Sequence, residues 1–221
     1  MAGGWSLSMM WMRLCGQSWN PAALSFLGMW MAMMVAMMLP ALAPMLQRYR
    51  RAIAAMGGMH LGWPTALAGA GYFGVWAVCG MAVYLPGAAL ATRAMADPAT
   101  ARVLPFAAGA LVVLGSALQF TAWKARQLAC CRAAPGAALR PGAVAAFRHG
   151  VHLGLRCLRC CGNLMAMLLV SGLMNPGPMI ALTAAIAIER HALAGKGAAR
   201  AIGAVAICAG LWLIARAAAR G

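Results

Sequence analysis

The sequence predicts an all-α polytopic membrane protein with five or six transmembrane helices. Three observations carry that prediction. Of the 221 residues, 64% are hydrophobic and only 9% are charged, and the mean hydropathy is +0.81. A soluble domain carries about 25% charged residues, so this surface has too few charges to be wetted all round. Apolar stretches also recur at the length that a bilayer demands, about 20 residues per helix. Finally, the basic residues fall between those stretches rather than within them.

The elements follow in chain order, within a single integral membrane domain over residues 1–221. A first span is expected over residues 21–46 and a second over 63–91. A third covers 99–123, followed by a cytoplasmic loop over 124–152 with turn signals at Pro135-Gly136 and Pro141-Gly142. The fourth span covers 153–174, and Asn175-Pro176-Gly177-Pro178 then breaks the backbone, because two prolines and a glycine in four residues cannot continue a regular helix. A short fifth span over 179–190 and a sixth over 198–215 complete the set. If the Asn-Pro-Gly-Pro segment only kinks one span, the count falls to five.

Charge orients these spans. The chain has 18 Lys+Arg against 2 Asp+Glu, a net charge of +16. Arg48, Arg50 and Arg51 follow the first span. Lys124, Arg126, Arg132, Arg140, Arg148, Arg156 and Arg159 follow the third, and Arg190, Lys196 and Arg200 follow the fifth. The positive-inside rule makes that side cytoplasmic and both termini external, in a bacterial inner (cytoplasmic) membrane. Basic residues beside anionic lipid explain the charge without nucleic acid, since no basic amphipathic helix or aromatic-basic platform is present. No secretory signal is expected at the start, so the first spans themselves serve for targeting. No paired carboxylates, Ser/His/Asp set or phosphate-binding loop supports an enzyme.

Cysteine and methionine carry the chemistry. Of 8 cysteines, Cys15, Cys79 and Cys208 stand alone and read as small hydrophobes. Cys130, Cys131, Cys157, Cys160 and Cys161 all fall on the expected cytoplasmic side, where thiols stay reduced and disulfides are rare. Residues three and four apart share a helix face, so Cys157, Cys160 and Cys161 converge at the mouth of the fourth span. Tetrahedral coordination there needs a further ligand, for which Cys131 or Cys130 is the candidate. Arg156 and Arg159 beside the cluster are expected to favour thiolate. His152 is rotated about 140° from Cys157 on a straight helix and joins only if the helix breaks; His149 lies about 12 Å away along the axis.

Methionine contributes 19 residues. On the first span Met29, Met33 and Met37 form one row, and Met34 and Met38 the next. Met165, Met167, Met174 and Met179 lie around the backbone break. Thiolate sites suit Cu(I), Zn(II) or an Fe–S cluster, and thioethers select Cu(I), though a methionine stripe is more often flexible core filler. Glu189, at the end of the fifth span, needs a partner, for which a cytoplasmic Arg or Lys124 is expected.

Together these motifs resemble a bacterial family of predicted metal-binding integral membrane proteins of unknown function. The resemblance rests on Trp30-Met-Ala-Met-Met-Val-Ala-Met-Met-Leu-Pro40, on Gln119-Phe-Thr-Ala-Trp-Lys124 with Cys131-Arg132, and on Gly150-Val-His-Leu-Gly-Leu-Arg-Cys157-Leu-Arg-Cys160-Cys161. It extends through Asn163-Leu-Met165, Gly172-Leu-Met-Asn175 and Glu189-Arg190. The chain departs from the family pattern at Gly162, where Trp is usual, and at Gln127, where a further Cys is usual. The resemblance implies metal binding.

The resulting expectation is membrane-embedded binding or transfer of a soft transition metal, copper first and zinc as the alternative. Cys157, Cys160 and Cys161 are the principal ligands, and Cys131, Cys130 and His152 are candidates. Met33, Met34, Met37, Met38, Met174 and Met179 line a relay. The expected partners are the lipid bilayer and a metalloprotein or metal chaperone. Two other readings stay open: a non-transporting anchor or assembly subunit for a metalloprotein, and a thiol-redox protein using Cys157 and Cys160.

Overall fold

The computed structural model describes residues 19–57, 61–132, 142–171, 176–191 and 195–219. Among them the chain forms seven α-helices and one 3₁₀ turn, with no strand. They are α1 (Trp19–Ala55), α2 (Gly62–Ala96), α3 (Pro98–Ala117), α4 (Ala122–Arg132), α5 (Ala143–Ser171), α6 (Pro176–His191) and α7 (Gly195–Ala218), with the turn Leu118–Phe120 between α3 and α4. The fold is thus the all-α polytopic class that the hydropathy requires. Five of these helices are long and apolar enough to cross a membrane: α1, α2, α3 with its turn, α5 and α7.

Two boundaries differ from expectation. Residues 124–152 are not a loop throughout: α4 occupies their start, and α5 already begins at Ala143. The basic residues there mimic a solvated loop, yet Arg148, Arg156 and Arg159 are exposed on one side of α5 while Ala146, Leu153 and Cys157 are buried on the other. Cys157 to Cys161 therefore sit near the middle of α5, not at its mouth. The second difference is α6. Its 16 residues reach about 24 Å at 1.5 Å per residue, short of a hydrocarbon core of about 30 Å. It is a separate helix beginning at Pro176, and its far end reaches the middle of α5.

Spacing explains how each helix finds its inner face. On α1 the buried positions are Trp30, Met33, Met34, Met37, Met38, Ala41, Leu42 and Tyr49, a three-and-four repeat that turns one stripe inward. Pro40 and Pro44 lie inside this helix without ending it, as membrane helices tolerate where neighbours satisfy the freed backbone. Trp30 Nε1 donates to the Trp76 carbonyl at 2.8 Å, and Phe26 packs on Tyr84 at a ring separation of 4.8 Å. On α4 the inward residues are Lys124, Leu128 and Cys131, again four and three apart.

Glycines set the closest helix pair. Gly71 of α2 faces the Phe147 carbonyl of α5, Gly150 of α5 faces the Ala68 carbonyl of α2, and Gly154 faces the Tyr72 carbonyl. Without a Cβ at these points the two backbones come into contact, the usual device where lipid offers no hydrophobic drive for helix association. Gly69 and Gly74, on the same helix, face open space. Below this seam Tyr49 stacks on His149 with ring centroids 4.8 Å apart. That stack joins the end of α1 to the start of α5.

The turn between α2 and α3 is held by Asp97. Its carboxylate accepts from the Ala99 and Thr100 amides at 3.0 Å and from Thr100 Oγ1 at 2.6 Å, an N-cap followed by Pro98 at the first helical position. The Thr100 hydroxyl, followed by the two amides, holds the carboxyl below the usual carboxylate range. Because the folded value is depressed, the stabilisation is present above the unfolded value, about 3.9, and is lost as pH falls through the folded one. Asp97→Ala is therefore expected to lower the detergent melting midpoint near pH 7, with the difference from wild type closing below about pH 4. A gap that stays constant down to pH 3 would show that the carboxylate is not the stabilising group.

Candidate metal centre

The centre is assembled by α5, with α1, α2, α4 and α6 each bringing one or two groups against it. Cys157, Cys160 and Cys161 are all buried on its inner face. Their thiols are linked in series, Cys157 to Cys161 and Cys161 to Cys160. Cys160 in turn is hydrogen-bonded to Cys131 of α4. Cys131 also donates to the Arg156 carbonyl at 3.3 Å. Its hydrogen bond with Cys160, and then burial, push its thiol above the ordinary range.

Cys157 has the densest surroundings. The Tyr72 hydroxyl of α2 donates to its sulfur at 3.0 Å, and Arg190 Nη1 of α6 donates at 3.5 Å. Met38 Sδ of α1 stands 3.9 Å away. Arg190 Nη2 reaches Met45 Sδ at 3.4 Å, which ties the same guanidinium to α1. Beside Cys160 lies a second charged group. Lys124 Nζ donates to the Cys160 carbonyl at 2.6 Å and to Asn163 Oδ1 at 3.3 Å, and pairs with Glu189 Oε2 at 2.9 Å. Gln119 Nε2 donates to Glu189 Oε1 at 2.8 Å. Lys124 is thus the partner that an acid at a helix end required.

The remaining candidates divide clearly. Met33, Met34 and Met37 are buried in the same core as Met38, and Met179 is half-buried against it. Met165 and Met167 are buried there too. Cys130 is exposed on the outer side of α4, and His152 is exposed on the outer side of α5, so neither faces the thiols. Met174 lies outside the described residues, as does Cys15. Cys79 is half-buried against the same core and Cys208 is exposed.

Two expectations about local charge change. Arg156 and Arg159, adjacent in sequence to the cysteines, point outward; the cation beside the sulfur is Arg190, from a different helix. Tyr72 was not singled out either. Its signal was a hydroxyl inside an apolar span, which needs a hydrogen-bond partner when buried.

Among the described residues no three Cys, His, Asp or Glu groups surround a common centre as a ready-made metal cage. The thiols form a line of pairwise neighbours instead. Such a line suits an ion content with two or three soft ligands, whereas structural zinc is almost always four-coordinate. Thiolate and thioether donors are soft ligands, of the kind that take Cu(I), zinc or an iron–sulfur cluster.

No curated protein and no solved structure matches this chain. A family model described as PpoB2, copper chaperone, matches residues 27–213, a range that takes in the methionine face of α1 and the thiol series alike, and the chain belongs to that family.

Proposed function

We propose that the protein is a multi-pass carrier in the bacterial inner membrane that binds Cu(I) as cargo on Cys157 and Cys161 and passes it between sulfur ligands. The observation that supports this best is the junction at Cys157. There a thiol series ending at Cys131 meets the thioether of Met38, 3.9 Å away, in a buried setting. Cys160 and Cys131 extend the series toward α4, where Cys130 is exposed one residue further on. Met34, Met37 and Met33 extend it along α1. Ligand exchange between adjacent sulfurs moves a two- or three-coordinate ion without ever stranding it. Each thiol still protonated when it takes the ion must release its proton, so binding strengthens with pH.

Titration of the purified protein with Cu(I), against a chromophoric chelator, tests this reading. Loss of outer-sphere partners alone lowers metal affinity about 10–100-fold, so the Cys157→Ser/Cys160→Ser/Cys161→Ser triple variant should lose more than that. Unchanged stoichiometry in the triple variant would overturn the site.

A further inference from the structure

We infer that Arg190 is a charge-balancing residue that makes the thiol site select a monovalent soft cation over a divalent one. The inference rests on the copper-site reading above and concerns what that site excludes.

Arg190 is only 7% exposed. The chain holds just two acidic residues. Asp97 caps α3, and Glu189 is paired with Lys124 at 2.9 Å. The terminal nitrogens of Arg190 are directed at sulfur, Cys157 Sγ at 3.5 Å and Met45 Sδ at 3.4 Å. A guanidinium does not give up its proton in proteins, and a buried cation without a counter-charge is strongly destabilising. The anion beside it is therefore a thiolate of the site.

Charge counting then separates the metals. Two thiolates contribute −2, and the other groups touching Cys157, the Met38 thioether and the Tyr72 hydroxyl, are neutral. A monovalent ion on two thiolates leaves a complex of −1, which Arg190 brings to zero. A divalent ion on the same two thiolates is already neutral, and Arg190 then leaves an uncompensated positive charge. In a site this dry, that surplus is penalised far more than in water. The hydrogen bond from Nη1 also persists on the metallated sulfur, since a thiolate keeps lone pairs to accept it. Arg190 is thus a positioning and specificity residue, not a ligand.

The test uses the full-length protein in detergent, with Ag(I) as a redox-inert monovalent probe and Zn(II) as the divalent one. Arg190→Met removes charge and donor; Arg190→Gln removes the charge and keeps a donor; Arg190→Lys keeps the charge. Both neutral variants should bind Ag(I) about 10–100-fold more weakly while Zn(II) affinity holds or rises. Arg190→Lys should keep most of the wild-type Ag(I)/Zn(II) ratio. Having two neutral variants guards against one failing to fold. A parallel loss for both metals, as a three-thiolate zinc complex of the same −1 charge would give, overturns the inference, and so does a ratio that none of the variants moves. Ag(I) binding that survives the triple cysteine variant instead overturns the site itself, so the two failures are distinguishable.

Discussion

Lys124→Met should destabilise the protein by about 3–5 kcal/mol, the range for breaking a buried ion pair from one side. Lys124 and Glu189 are both fully buried, with side chains 1% and 0% exposed. Removing the lysine takes away the ammonium that meets Glu189 Oε2 at 2.9 Å. It also removes the donor to the Cys160 carbonyl. A carbonyl inside a helix already has its backbone partner, so that loss is small beside the loss of the buried ion pair. Glu189→Gln should cost a comparable amount, because it leaves the buried Lys124 ammonium as the uncompensated charge.

The double variant Lys124→Met/Glu189→Leu separates stability from function. Replacing both partners of a buried pair by apolar groups is often neutral or even stabilising, so its melting midpoint should return close to wild type. Its metal site should not recover in full, since Lys124 spans Cys160 of α5, Asn163 one turn on, and Glu189 of α6. Melting curves and Cu(I) titrations on the single and double variants decide the matter. If the double variant is as unstable as Lys124→Met, the pair is not the source of the loss.

How much of this was legible in the sequence depends on the range over which each interaction acts. The helices were, because a bilayer forces every spanning segment to hydrogen-bond within itself and to be apolar over a known length. The inward stripe of α1 was legible too. Its methionines repeat at three and four, and that period alone turns Met33, Met34, Met37 and Met38 to one side. The same local geometry grouped Cys157 with Cys160 and Cys161. What failed was sequence adjacency used as a guide to electrostatics. Arg156 and Arg159 flank Cys157 by one or two residues, but a helix turns about 100° per residue, so neighbours in sequence point away. Arg190 and Tyr72 reach the sulfur from α6 and α2, across 33 and 85 residues, and no periodicity reports a contact of that kind. The start of α5 was missed for a related reason. Its outer arginines resemble a loop by composition, although Ala146, Leu153, Cys157 and Leu164 keep the helical period throughout.

The glycine seam yields the second large effect, and there the same substitution should have opposite signs at two positions of one helix pair. Glycine to alanine inside a helix gains about 1 kcal/mol of intrinsic propensity. At Gly69 a Cβ meets nothing within 4 Å, so Gly69→Ala should be neutral to stabilising by up to that amount. At Gly150 the Cβ would stand 2.7 Å from the Ala68 carbonyl carbon, where ordinary contact begins at 3.4 Å. Its obstacle is backbone, which cannot rotate aside, and the Ala68 carbonyl oxygen lies closer still, so α2 and α5 must separate by at least about 0.7 Å or bend. A radial gap of about 0.5–1 Å forfeits a quarter to a half of each van der Waals contact that it opens, and this seam continues through Gly71 and Gly154. Overpacking of this kind costs about 1–3 kcal/mol, occasionally more, and against rigid backbone the upper end is expected, so the propensity gain is outweighed. The separation also pulls Tyr72 from the Cys157 sulfur, which it meets at 3.0 Å two helical turns from Gly150. Gly150→Ala should therefore lower the detergent melting midpoint and weaken Cu(I) binding about tenfold, as loss of an outer-sphere hydrogen bond does. Gly69→Ala should change neither for the worse. Equal midpoints for the two variants would mean that the seam relaxes without cost, and the tight α2–α5 contact would then not be what positions Tyr72.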